Sequence, residues 1–98
     1  MRFGKLNIHR HKIKNHPHVV VERDGKKVYS VGLTHSEKSG HHKLHRVYES
    51  NGQVVYMLHS VSHDKESFYA KNPENYKIDE VSEARAKAMV NHYKNKKK

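Results

Sequence analysis

Short apolar clusters alternate with turn-forming residues along much of the chain, a pattern typical of a small β-sheet protein. The clearest cluster carries three consecutive valines, Val19–Val21, and a second apolar run extends from Val28 to Leu33. Asp24-Gly25 lies between the two runs and favours a type I′ turn, because glycine tolerates the positive φ that this turn needs. We therefore predict a β-hairpin here. Its core face is expected at alternate positions of the second run: Tyr29, Val31 and Leu33.

A second hairpin is predicted further along, so that the two hairpins together cover residues 16–60. Its arms are Lys43–Glu49 and Gln53–Ser60, and Asn51-Gly52 between them is the strongest two-residue signal for a hairpin turn. Apolar residues occupy adjacent positions in both arms, so the register stays open. Residues 1–15 alternate only weakly, which indicates a basic arm or an edge strand. Residues 62–75 are polar and are expected to be a connection.

The last predicted element is a helix over residues 79–94, followed by a frayed tail at 95–98. Asp79 or Ser82 can cap it, and Glu80 and Glu83 suit the positive end of its dipole. Apolar residues recur at helical spacing and predict one buried stripe. Its members are Ile78, Val81, Ala84, Ala88, Met89 and Tyr93.

These elements predict a single domain, because 98 residues enclose one small core. Strands followed by one helix indicate an α+β fold. Two forms stay open: a small, strongly curved antiparallel sheet, or an SH3-like barrel, of about four to six strands with one C-terminal helix. Leu, Ile, Val and Phe make up only 20 of the 98 residues, so we expect modest stability.

Charge and composition narrow the function. The chain has 20 Lys and Arg against 10 Asp and Glu, a formal net charge of +10, and 11 histidines. Such a charge attracts polyanions, so RNA or another nucleic acid is the expected partner. The absence of cysteine excludes disulfides, thiolate metal sites and cysteine nucleophiles. No apolar run is long enough for a membrane span and the N-terminus lacks a signal-peptide core, so we expect a cytoplasmic protein with no membrane contact.

Histidine in a basic protein suits RNA cleavage without a metal, because imidazole can take the 2′-hydroxyl proton and protonate the leaving oxygen. His16 and His35 are the candidates for proton transfer, and Thr34 is the candidate for orienting the phosphate. No paired carboxylate motif supports two-metal chemistry, and no histidine spacing demonstrates a metal site, so neither metal nor cofactor is expected. The candidates for phosphate contact are Arg10, Lys12, Lys14, Lys38, Lys43 and Arg46, and those for base stacking are Tyr29, Tyr48 and Tyr56.

Residues 14–36 resemble the opening of PemK/MazF-type toxins. The shared features are a basic residue before proline (His16 before Pro17), the β-run from His18, the turn at Asp24-Gly25 and a strand that ends in Leu33-Thr34-His35-Ser36. Val81-Ser82-Glu83 is loosely similar to the start of the family's last helix. The resemblance implies an SH3-like barrel that cleaves mRNA. It places His16 at the family's catalytic arginine and Thr34 at its catalytic threonine. The chain departs from the family in having histidine at position 16 and a dense set of His and Lys after Thr34.

The leading hypothesis is therefore a small basic RNA-binding protein that acts as a metal-independent endoribonuclease of toxin or mobile-element type. Its protein partner would be an acidic antitoxin, and a homodimer is one of the oligomeric states left open. Two alternatives use the same basic face. One is a nucleic-acid-binding module without catalysis, and the other is a basic protein-binding inhibitor encoded by a phage or mobile element.

Overall fold

The computed structural model describes residues 3–34, 42–43 and 55–96. All strand pairs are antiparallel, and the sheet order is β1-β2-β3-β5-β4. β1 and β4 are its two edges within these residues, so the predicted α+β fold is confirmed as an open sheet with one C-terminal helix rather than a closed barrel. The elements are β1 (Ile8–His11), β2 (His16–Asp24), β3 (Lys27–Thr34), β4 (His42–Lys43), β5 (Tyr56–Lys65), a 3₁₀ helix (Glu66–Phe68) and α1 (Glu80–Lys96).

The hairpin of β2 and β3 forms where the valine runs predicted it. Asp24 pairs with Lys27, so Gly25 and Lys26 are the two turn residues. Gly25 has a φ of +63° and Lys26 does not have a positive φ, which is the pattern of a type II′ turn. The predicted type I′ turn with Asp24 at its centre is therefore wrong by one residue, because the pairing extends as far as Asp24 itself.

β3 is the central strand and is buried on both faces. Tyr29, Val31 and Leu33 belong to the hydrophobic core beneath α1, as the alternation predicted. The opposite face is also covered, since Val28 is 1% exposed and Ser30 is fully buried. The sheet therefore has an apolar side against the helix and a second, more polar side, and the candidate site lies on the second side.

The second predicted hairpin falls largely on residues outside the described ranges, including its turn at 51–52. His42 and Lys43 pair antiparallel with Met57 and Tyr56, as the two arms of a hairpin would. β5 continues past Ser60 to Lys65, where a polar connection was expected. The strand continues because the backbone of its polar half pairs with β3, from Val31↔Val61 to Lys27↔Lys65.

The sheet is strongly curved. Neighbouring strands lie about 4.8 Å apart, so β1 and β5 would be separated by roughly 14 Å across β2 and β3 in a flat sheet. Side chains of the two strands nevertheless meet, with 2.9 Å between Nε2 of His11 on β1 and the carboxylate of Asp64 on β5, which requires the backbones to approach closer than in a flat sheet. The chain after the 3₁₀ helix then returns to β1, where Tyr69 bridges to His11, so one concave face is partly covered.

α1 begins with the predicted cap, since the Asp79 carboxylate accepts a hydrogen bond from the Ser82 backbone N–H at 2.7 Å. The predicted stripe is confirmed at Ile78, which is fully buried, and at Met89 and Tyr93, which pack against the core. It is wrong at its middle positions, because Val81 is 70% exposed and Ala84 and Ala88 are exposed too. Glu83 turns inward instead and accepts a hydrogen bond from the Leu6 backbone N–H at 2.9 Å. The buried face consists of Ser82, Glu83, Ala86 and Val90. No helix in the described ranges is long and apolar enough to cross a membrane.

We predict that Asp79→Ala lowers the free energy of unfolding by about 1 kcal/mol, because it removes the acceptor that caps α1. Asp79→Asn is the matched control, since its amide oxygen can accept the same hydrogen bond and should retain most of the stability. Urea denaturation followed by circular dichroism measures both. Equal losses in the two variants would contradict the capping role.

Candidate nucleic-acid interface

A groove of about 700 Å³ opens on the face of the sheet opposite α1. Its walls come from the strands around the β2–β3 turn and from the 3₁₀ helix with the residues that follow it. Six cationic side chains line it: Lys12, Arg23, Lys26, Lys27, Lys65 and Lys71.

Glu66 is the only acidic residue among the described residues that line the groove, and its carboxylate forms an ion pair with Arg23. That ion pair neutralises one positive and one negative charge of the groove. The groove therefore keeps an excess of lysine charge. A concave surface of one sign focuses its field and concentrates anions of the opposite sign.

Backbone pairing brings three of these lysines together. Lys26 and Lys27 lie at the turn of the hairpin, and Lys65 stands opposite Lys27 in the register of β3 and β5. The Glu66 backbone N–H donates a hydrogen bond of 2.8 Å to the Lys26 carbonyl. The lysine cluster thus belongs to paired backbone and not to a free loop.

The floor of the groove is apolar. Val20 on β2 and Val28 on β3 contribute to it, together with Ala70 and the ring of Tyr69. His9 lines the wall and is 8% exposed. Its Nδ1 lies 2.9 Å from the Ala70 carbonyl oxygen, which can only accept, so Nδ1 carries the proton and Nε2 is the nitrogen that remains for other partners.

A network of polar side chains lies on the same concave face. The His11 Nδ1 accepts a hydrogen bond of 3.1 Å from the Lys14 backbone N–H, and its Nε2 lies 2.9 Å from the Asp64 carboxylate. The two contacts select one tautomer, in which Nε2–H donates to Asp64. Lys14 also reaches across the face, where its Nζ donates to the Ser62 hydroxyl at 2.8 Å.

His18 is the other buried imidazole of this network. Its ring centroid lies 5.0 Å from that of His11, and its Nδ1 lies 3.0 Å from the Ser30 hydroxyl, which in turn lies 2.6 Å from the Tyr69 hydroxyl. Burial, and after it the electrostatic effect of the neighbouring His11 imidazole and Lys14 ammonium, lowers the pKa of His18 to about 3. Burial also raises the pKa of Tyr69. Both side chains are therefore neutral at pH 7 and form a structural network.

Among the predicted phosphate contacts, Lys12 is the one that lies in the groove. Arg10 pairs with Glu74 at 2.7 Å, and the side chain of Lys14 is hydrogen-bonded on the concave face. The structure does not place the side chains of the other three residues predicted for this role: Lys43 is in β4, with its side chain outside the described structure, and Lys38 and Arg46 are outside the described residues.

Two of the three predicted stacking residues, Tyr29 and Tyr56, are among the described residues. Tyr29 is 8% exposed, and its ring stacks on His63 at 4.0 Å between centroids. Its ring is therefore committed to the core beside α1 and presents no face to a base, which corrects the prediction for this residue. Tyr56 lies on β5 and is half-buried, and Tyr48 is outside the described residues.

Two of the three predicted catalytic residues lie at neighbouring strand ends, each two residues beyond the last paired residue of β2 and β3. His16 is exposed at the start of β2, and Thr34 is 7% exposed at the end of β3. The pairing of His18 with Gly32 places these two strand ends beside each other. They lie at the opposite end of the hairpin from Lys26 and Lys27. His35 is outside the described residues.

Sequence reasoning missed most of the groove. Arg23, Lys26 and Lys27 surround the predicted turn, and three cations within five residues of a hairpin tip were a signal that could have found them. Lys65 and Lys71 had no such signal, because the strand that carries Lys65 to the turn was expected to be a connection.

No protein-family model, curated protein or solved structure matches this chain. The resemblance to PemK/MazF-type toxins therefore stays a prediction. Among the described residues, no three His, Asp or Glu side chains converge as ligands for a metal ion.

We predict that His18 makes the protein less stable as the pH falls from 6.5 towards 3. Across that window the unfolded chain binds a proton at this imidazole that the folded protein does not, because the pKa is about 3 in the fold against 6.5 for an imidazole in water. The loss is at most about 1.4 kcal/mol per pH unit. His18→Gln should therefore show a flatter dependence than the original protein.

Urea denaturation at several pH values between about 7 and 4 measures this slope. His92→Gln, at an exposed position of α1, is the matched control and should keep the original slope. An unchanged slope in His18→Gln would show that this imidazole does not carry the acid sensitivity.

Proposed function

We propose that this protein binds RNA through the basic groove. The observation that carries the proposal is the set of six cationic side chains around one concavity whose only acid, among the described lining residues, is already paired with Arg23. The phosphates of RNA carry one negative charge per nucleotide, so an RNA strand is a polyanion that such a groove would attract whatever its base sequence. The net charge of +10 would steer RNA towards the protein from a distance.

The concavity supports binding better than charge alone does. Lysines scattered over a convex surface are solvated separately, whereas lysines around a groove can contact successive phosphates of one strand. The lysines of the β2–β3 turn are also held by paired backbone, so less conformational freedom is lost when RNA binds. A nucleic-acid-binding module needs nothing beyond this surface.

Cleavage of RNA without a metal is a second candidate function, and the position of His16 and Thr34 at neighbouring ends of β2 and β3 favours it. His16 would accept the 2′-hydroxyl proton and Thr34 would orient the phosphate, as the resemblance to PemK/MazF-type toxins implies. Strand geometry puts His16 roughly 23 Å from Arg23 along β2, so one RNA strand would extend from the groove to the catalytic end. His35 would be the second group for proton transfer.

A toxin with this groove would have a natural inhibitor in an acidic protein, since carboxylates would compete with phosphates for the same lysines. A cytoplasmic location belongs to the same proposal, because mRNA is the substrate that the resemblance implies. If the protein instead binds an acidic protein and little naked RNA, that result would favour the protein-binding inhibitor over the nuclease.

We predict that the double variant Lys26→Gln/Lys27→Gln binds RNA roughly tenfold more weakly and with a shallower salt dependence. Each lysine that leaves a phosphate lowers the slope of log K against log salt by about 0.7 for a single strand. Fluorescence anisotropy with a labelled single-stranded RNA at several salt concentrations measures both quantities.

Lys77→Gln/Lys96→Gln is the matched control, because it removes the same charge from two exposed positions outside the groove. It should keep most of the affinity. Equal losses in the two double variants would mean that binding depends on net charge alone, and the groove would lose its role.

We predict that the protein cleaves total RNA in the presence of EDTA and that His16→Ala abolishes the product while binding is retained. Gel analysis of cleavage, with anisotropy as the binding control, tests this. Absence of product from the original protein would leave the non-catalytic module, and cleavage by His16→Ala at the original rate would remove His16 from the mechanism.

A further inference from the structure

The floor of the basic groove is apolar, and phosphate binding makes no use of an apolar surface. Val20 and Ala70 are half-buried members of the lining, and Val28, which is 1% exposed, lies on the strand next to Val20 and on the same face of the sheet. Apolar surface at the bottom of a concavity is favourable only when something apolar covers it. Inorganic phosphate or a polyphosphate would contact the lysines and leave this surface in water.

The aromatic residue of the floor is not free to move onto a ligand. Tyr69 is 6% exposed, its hydroxyl lies 2.6 Å from that of Ser30, and its ring packs edge-on against His11 with centroids 4.9 Å apart. The surface that the groove offers is therefore a fixed one made mainly of aliphatic groups. Such a surface suits the flat face of a planar ring without selecting a particular ring.

His9 adds one polar group to the wall. Its Nδ1 is held by the Ala70 carbonyl at 2.9 Å, so the ring is oriented and Nε2 is its remaining hydrogen-bonding atom. A ligand that carries a planar apolar part, a polar edge and a phosphate would meet all three components of the groove.

We propose that the groove binds an unpaired nucleotide of a single strand, with its base on the floor at Val20 and Ala70 and its phosphates on the lysines. This inference rests on the proposed function and adds the ligand class. A volume of about 700 Å³ falls in the range of small-ligand sites, about 300–1,000 Å³. A duplex could reach the lysines with its phosphates, but its stacked bases could not reach the floor.

The experiment compares Val20→Thr with Val21→Thr. The two substitutions are the same near-isosteric exchange of a methyl for a hydroxyl at neighbouring half-buried positions, and only Val20 lines the groove. Val20→Thr should weaken binding of a single-stranded RNA about fourfold, the value expected for one methyl group that no longer buries against the base. Val21→Thr should bind as the original protein does. Thermal melts of both variants check that each is folded.

Competition for a labelled single-stranded RNA supplies the second measurement. A nucleoside monophosphate should compete better than pyrophosphate, although pyrophosphate carries more charge, and a duplex of the same sequence should compete less well than the single strand. Weaker binding by Val20→Thr together with this order supports the inference.

Two other results overturn it in distinguishable ways. If Val20→Thr binds as the original protein does and pyrophosphate or duplex competes as well as the single strand, while Lys26→Gln/Lys27→Gln still weakens binding, then the groove is a phosphate site and the proposed function stands without the nucleotide. If Lys26→Gln/Lys27→Gln also binds RNA normally, then the groove is not the RNA-binding site, and both the proposed function and this inference are wrong.

Discussion

The hydrogen bond between His11 and Asp64 joins β1 and β5, two strands that are not neighbours in the sheet. It can form only because the sheet is strongly curved, and the other contacts of the concave face depend on the same curvature. Once β1 approaches β5, Lys14 can reach Ser62 across the face, and the chain after the 3₁₀ helix can place Tyr69 against Ser30. The pairing of β5 with β3 places the start of the 3₁₀ helix beside the β2–β3 turn, where the Glu66 N–H donates to the Lys26 carbonyl. The groove and its lysines are the result.

The histidines show how composition and structure diverge. As a count, 11 histidines in a basic chain favour acid–base chemistry or metal binding. In the fold, His11 and His18 are 1% and 2% exposed and serve as packed, hydrogen-bonded residues of the concave face. Imidazole suits these buried positions because its ring fills space as an apolar ring would, while its two nitrogens form hydrogen bonds that link the strands. Their value to the protein is architectural.

The sequence predicted what depends on local signals and missed what depends on pairing at a distance. Three valines, a glycine turn and a second apolar run were enough for the β2–β3 hairpin, and Asp79 was enough to locate the start of α1. The inward turn of Glu83 depends on the backbone of Leu6, 77 residues away in the chain, so helical periodicity alone could not place Glu83 on the buried face. Lys65 lies in the groove because a polar segment pairs with β3 as part of β5. The residue types of that segment do not predict a strand.

Residues 68–74 run along the outer side of β1 and pair with its backbone. The Lys12 N–H donates to the Phe68 carbonyl, and the carbonyls of Arg10 and Ile8 accept from the N–H groups of Ala70 and Glu74, at 2.6–2.8 Å. An uncovered strand of this kind would be a template on which another chain could add. Here those backbone groups are already used, which protects a small and highly charged protein from edge-to-edge aggregation on this side, even when bound polyanions bring several copies close together.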